Sequence, residues 1–140
     1  MAWTLTTPHN TARTTAAQAA ANAKTLQLAD AGAGPSTLRL YTDADPATQE
    51  RTHLVTIVLS KPCGTIVSGK IQLAQADPLG DMVAATGVPT FAQWCDGDGT
   101  AIADCTVSND AGDGDLKLST RQDGMIFEGG FVTLTEGLIG

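Results

Sequence analysis

The feature that most constrains this chain is a change of hydrophobic period near residue 36. Before it, alanines recur at helical spacing. After it, apolar and polar residues alternate in short runs, cut by Gly, Pro and Asp at roughly ten-residue intervals. One helix followed by many short strands leaves few architectures open, and an antiparallel β-sandwich of the jelly-roll kind is the first of them.

The helical segment is predicted over Asn10 to Ala29, with Asn10 or Thr11 as its cap. Nine alanines between positions 12 and 31 give it strong helix propensity. Ala12, Ala16, Ala19, Ala20 and Ala23 form a smooth stripe along which a neighbour can lie close. That neighbour is either the chain's own sheet or another chain, and amphipathic logic favours the sheet. The run Asp30 to Ser36 ends the helix with Gly and Pro. In front of it, Trp3 and Leu5 alternate with polar neighbours in a short extended arm.

From Thr37 onward the reading is of strands. Thr37 to Thr42 alternates, His53 to Ser60 is apolar on both faces as a central strand would be, and Thr65 to Ala74 follows a turn at Pro62 to Gly64. Pro89 to Asp96 and Thr100 to Ser108 flank Asp-Gly-Asp-Gly, a strong hairpin signal. Shorter strands follow at Asp115 to Thr120, Met125 to Glu128 and Phe131 to Thr135. The expectation is about eight to nine short strands after one helix. They form a single domain over residues 1–140, with 1–36 as arm and helix and 37–140 as the sandwich.

Small and β-branched residues dominate the 42% hydrophobic content, while aromatics are 4%. That balance suits packed sheets and argues against a carbohydrate module, whose sites present aromatic platforms. Fifteen acidic against eight basic residues give a charge of −7, which disfavours nucleic acid as a partner. No run of about 20 apolar residues suggests a membrane span, and the N-terminus lacks the pattern of a secretory signal. Cys63, Cys95 and Cys105 are read as free, partly buried thiols of a protein made in a reducing cytoplasm.

Asp96 to Thr100 with Asp104 invites calcium, but no register supplies the EF-hand ligands, and Asp-Gly serves a hairpin turn directly. Asn109 to Asp115 is a second acidic cluster, again better read as a solvated turn. A Cys63–His53 pair has no orienting partner, and no zinc spacing, phosphate loop or Gly-x-Ser-x-Gly elbow exists. The residues therefore suggest no enzyme, no cofactor and no metal.

Four stretches, in order, carry a resemblance: Asp30 to Tyr41 (DAGAGPSTLRLY), Pro89 to Val107 (PTFAQWCDGDGTAIADCTV), Gly112 to Leu118 (GDGDLKL) and Met125 to Leu134 (MIFEGGFVTL). The series resembles the jelly-roll capsid cement, or decoration, proteins of tailed bacteriophages. The resemblance implies a structural virion protein assembled in the host cytoplasm. It would sit on the outside of an icosahedral head, as a homodimer, and bridge neighbouring major capsid protein subunits without chemistry; the alternative within the virion is a tail or connector subunit. Under that reading the contact residues are expected at the two ends, Trp3 and Leu5 in the arm and Leu138 and Ile139 at the C-terminus. The alternative is that both ends tuck into the sandwich.

Overall fold

The computed structural model describes residues 3–120 and 123–139. It is mainly β with one N-terminal helix. Helix α1 covers Thr7–Ala29, and nine strands follow: β1 (Thr37–Tyr41), β2 (His53–Val67), β3 (Lys70–Gln75), β4 (Asp81–Met82), β5 (Phe91–Cys95), β6 (Ala101–Asn109), β7 (Leu116–Leu118), β8 (Phe131–Val132) and β9 (Leu134–Ile139).

Seven of these strands close into a barrel in the order β1-β2-β3-β9-β7-β6-β5, and β4 pairs with β8 in a small separate sheet. The expected two-layer jelly roll is therefore replaced by a barrel, and β2 explains why. Its first half pairs with β1, Thr37 opposite Val58, and its second half pairs with β3, Ile66 opposite Ile71. A register shift between Leu59 and Gly64 bends it from one partner to the other, so a strand that would end one sheet begins the next. The parallel pairing of β6 with β7, Val107 opposite Leu116, completes the ring.

Pro62 lies inside that bulge, where the ladder asks for no N–H, so it does not make the turn expected there. The turn falls at Ser68-Gly69, both with positive φ (50° and 79°), the geometry of a tight two-residue hairpin. The Asp-Gly hairpin joins β5 to β6 as anticipated. A register shift between Trp94 and Cys95 sets Cys95 opposite Ala101.

The interior is filled by Leu38, Leu40, Leu54, Ile57, Leu59, Ile71, Leu116 and Leu118 around Trp94. Each such aliphatic side chain contributes about 1.5–3 kcal/mol by leaving water. Trp94 is the one fully buried aromatic side chain among the described residues. Its indole Nε1–H donates to Ser36 Oγ at 2.7 Å, and Ser36 Oγ–H donates to the Cys95 carbonyl at 2.6 Å, so the buried polar atoms are satisfied.

The helix begins one turn earlier than predicted, with Thr6 at the cap and Pro8 in the first turn, where proline's missing N–H costs nothing. Its alanine stripe does not pack on the sheet; Ala12, Ala16, Ala19, Ala20 and Ala23 are all exposed. Contact with the barrel is made by the other face: Asn22 and Ala29 are buried, and Leu26 packs against the core. Asn22 Nδ2 donates to the Gly69 carbonyl at 2.7 Å, at the tip of the β2–β3 hairpin. At the hairpin's base, Asp30 Oδ1 accepts the Cys63 N–H at 2.9 Å. Below α1, Gly97 N–H donates to the Ala31 carbonyl and Gly34 N–H to the Gly97 carbonyl. A Cβ on Gly97 would sit 2.3 Å from the Gly34 carbonyl oxygen, so only glycine lets the two loops meet.

Candidate functional site

The acidic loops are stitched by their own backbone. Asp96 Oδ1 accepts the N–H groups of Asp98 (3.0 Å) and Thr100 (2.9 Å), which fixes the hairpin turn. Asp115 Oδ2 accepts both the N–H and the hydroxyl of Thr106 at 3.1 Å, and Asp110 accepts the Thr135 hydroxyl. Carboxylate oxygens engaged in this way do turn work. Among the described residues no group of three or more His, Cys, Asp or Glu side chains lies close enough to hold a metal ion.

The three thiols are free and buried. Burial, and secondarily the Asp30 carboxylate, push the Cys63 thiol up to about 12. Burial, with Asp115 and Asp104, pushes Cys105 up to about 11. An attacking thiol needs the opposite shift. His53, the suggested base, starts β2 ten residues before Cys63 and turns its Nε2 to Thr56 Oγ1 at 2.9 Å. The structure therefore does not bring the two together as a pair.

What the molecule does present is apolar surface at two opposite ends. Strand directions define the ends: β1, β6 and β7 start, and β5, β2 and β9 finish, at the end where α1 joins. There, α1 runs along the β2–β3 hairpin from Asp30 at its base to Asn22 at its tip. Thr14 and Gln18 still border Ser68 to Lys70, and everything before Thr14 overhangs. Trp3, at the far end of this overhang, is 75% exposed, and Leu5 is half-buried.

At the other end, the segments 76–90 and 123–133 continue past β3 and β9. Ala84 and Ala85 donate to the Leu54 carbonyl, and Val58 N–H donates to Asp81 Oδ2, so this cap lies on the first half of β2. Val83, Ile126 and Val132 point into the core, which forces their neighbours outward. Leu79 is 80%, Phe131 66% and Met82 63% exposed, with Met82 directly opposite Phe131 across β4 and β8. Beside them lies a groove of about 380 Å³ lined by Met125, Phe127 and Phe131. Contiguous exposed apolar side chains of this size mark contact surfaces.

Of the four residues anticipated as partner contacts, Trp3 and Leu5 lie in the overhanging arm. Leu138 and Ile139 lie in β9, opposite Gln72 and Ile71 of β3, with Ile139 packed against the core. The C-terminal strand thus takes the tucked-in alternative. The cap patch was missed, because Met82 and Phe131 sit in strands of two residues with no readable alternation. On the barrel wall, Tyr41, His53 and Phe91 form an aromatic group, but the Arg51 guanidinium covers the Phe91 ring at 4.3 Å. That ring face is thereby closed to a sugar. Among the described residues no helix is long and apolar enough to cross a membrane.

Comparison of the chain with protein-family models, with curated proteins and with solved structures finds no match.

Proposed function

We propose that this chain is a structural virion protein that binds the outside of an icosahedral phage head and ties neighbouring major capsid subunits together. On this reading it works by contact and not by catalysis, and it needs no cofactor. The observation that carries the reading is surface in excess of what a compact chain needs. A compact chain of 14.3 kDa exposes about 6,800 Å², whereas this one exposes 8134 Å². The excess, about 1,300 Å², exceeds the ~800 Å² that each partner gives to a standard interface. In α1, 21 of 23 residues escape burial. A helix gains most of its stability from packing a face against something, and the outer face of α1 has only solvent to meet in this chain.

Contact surfaces at opposite ends of a barrel suit bridging. Simultaneous engagement of two subunits multiplies modest affinities by about 10²–10⁴. The ordered stretches that resemble those of phage cement proteins point the same way. The test is co-sedimentation of the purified protein with empty phage heads. Saturable pelleting at a fixed copy number per shell is expected, and protein left wholly in the supernatant at all concentrations would remove the proposal.

A further inference from the structure

We infer that the chain associates head to tail with further copies of itself, the N-terminal arm of one copy seating Trp3 in the Phe127–Phe131 groove of the next. This goes beyond the virion reading and holds or fails without it.

Charge and apolar character both select the occupant. All fifteen acidic residues fall at Asp30 or later, so the arm and α1 carry Arg13 and Lys24 and no acid, while the rest of the chain carries a large negative excess. The cap shares that negative excess. Its segments 76–90 and 123–133 hold Asp77, Asp81, Asp123 and Glu128 and no basic residue. Asp77 and Glu128 are exposed within two residues of the apolar groups Leu79 and Phe127. The groove therefore asks for a large apolar anchor followed by positive charge. Trp3, then Leu5, then Arg13 on the first turns of α1, supply that order. Tryptophan and arginine are also the residues that most often dominate contact energies.

The arm cannot serve its own groove. It runs past the tip of the β2–β3 hairpin, at the end where β2 finishes, whereas the cap that carries the groove is hydrogen-bonded to Leu54 and Val58 in the first half of β2. The contact must therefore run between copies and join two different surfaces. That makes it heterologous and capable of continuing into a ring or a chain, unlike the closed pair that the cement-protein resemblance implies. The alanine stripe of α1 takes no part in it and stays available for another partner.

Sedimentation velocity with light scattering tests this, using the full chain and two surface variants, Phe131→Asp in the groove and Trp3→Asp in the arm. Both positions are exposed, so both variants should fold, as circular dichroism and urea melting will show. The wild type is expected to grow in mass with concentration, and each variant alone to be weakened by more than about tenfold. An equimolar mixture of the two should form a one-to-one dimer that extends no further, because one intact arm then meets one intact groove. Three results would overturn the inference: a wild type that stays monomeric to about 1 mM, a variant that associates as well as the wild type, or folded variants whose mixture gains no dimer.

Discussion

Of the 23 residues of α1, only Asn22 and Ala29 are buried, whereas along β1 every second side chain is sealed from water and in the first half of β2 Leu54, Val55, Ile57 and Leu59 all are. The barrel is held by close packing around Trp94 and by strand pairing that closes the ring. The helix is held by its last two turns, by one amide reaching the Gly69 carbonyl and by its own alanine propensity. The two regions therefore respond to different substitutions. A core change should unfold the whole, and a helix change should be felt only where the helix meets a partner.

The largest effect is expected in the barrel. Trp94→Ala removes the biggest fully buried side chain and the indole donor to Ser36 Oγ. A loss of about 3–5 kcal/mol follows, read as a fall in the urea midpoint. If the variant kept its midpoint and lost only helical signal, the barrel would not be the stable unit.

Next comes the pH response of the thiols. A free thiol ionises near 9.0, and Cys63 in the folded chain near 12. Between those values the folded state holds a proton that the unfolded state has released. Stability is therefore fully present below about pH 9 and declines as pH rises toward 12. Cys105, at about 11, adds to the same decline. Urea midpoints should hold up to about pH 9 and fall from there to pH 11, and Cys63→Ala should flatten that slope. An unchanged slope in the variant would mean that the thiol ionises without cost to the fold.

Asn22→Ala probes the joint between the two regions. It removes the side-chain donor to Gly69, a contact worth about 1 kcal/mol. Faster amide exchange is expected in the turns before Asn22, with the barrel amides unchanged. Equal acceleration in β1 and β5 would show that helix and barrel unfold as one.

The same division explains how much of this molecule was legible in its sequence. The helix, the β5–β6 hairpin and most strand positions follow from local rules, because a period of 3.6 or 2 and an Asp-Gly turn act over a few residues. Closure of the barrel does not. It depends on one bulge in β2 that carries the strand from β1 to β3, and Pro62 in that bulge looks in sequence like a turn. Met125 to Glu128 reads as a strand, yet only Ile126 makes a bridge, to Gly87. The strand predicted over Phe131 to Thr135 is divided between β8 and the start of β9, which runs on through Gly137 to Ile139. In the barrel that glycine lets Leu116, Leu134 and Leu73 approach, each within 3.4 Å of where a Cβ would stand. The arm residues Trp3 and Leu5 were readable because they are large and apolar next to a polar helix start. The cap patch was not, since its members come from two loops that meet only in three dimensions.

The smallest expected effect is the one that separates the regions most cleanly. Ala19 is exposed on the alanine stripe of α1. Ala19→Gly should lower helix stability by about 1 kcal/mol through backbone entropy alone. The urea midpoint of the barrel should not move, while far-ultraviolet helical signal falls modestly. If the outer face of α1 is what a capsid subunit grips, that same loss must be restored on binding. Affinity for empty heads should then drop about fivefold, since 1.4 kcal/mol corresponds to a factor of ten. An affinity unaffected by Ala19→Gly and by its neighbour Ala16→Gly would place the shell contact elsewhere, and the excess surface of the helix would need a different partner.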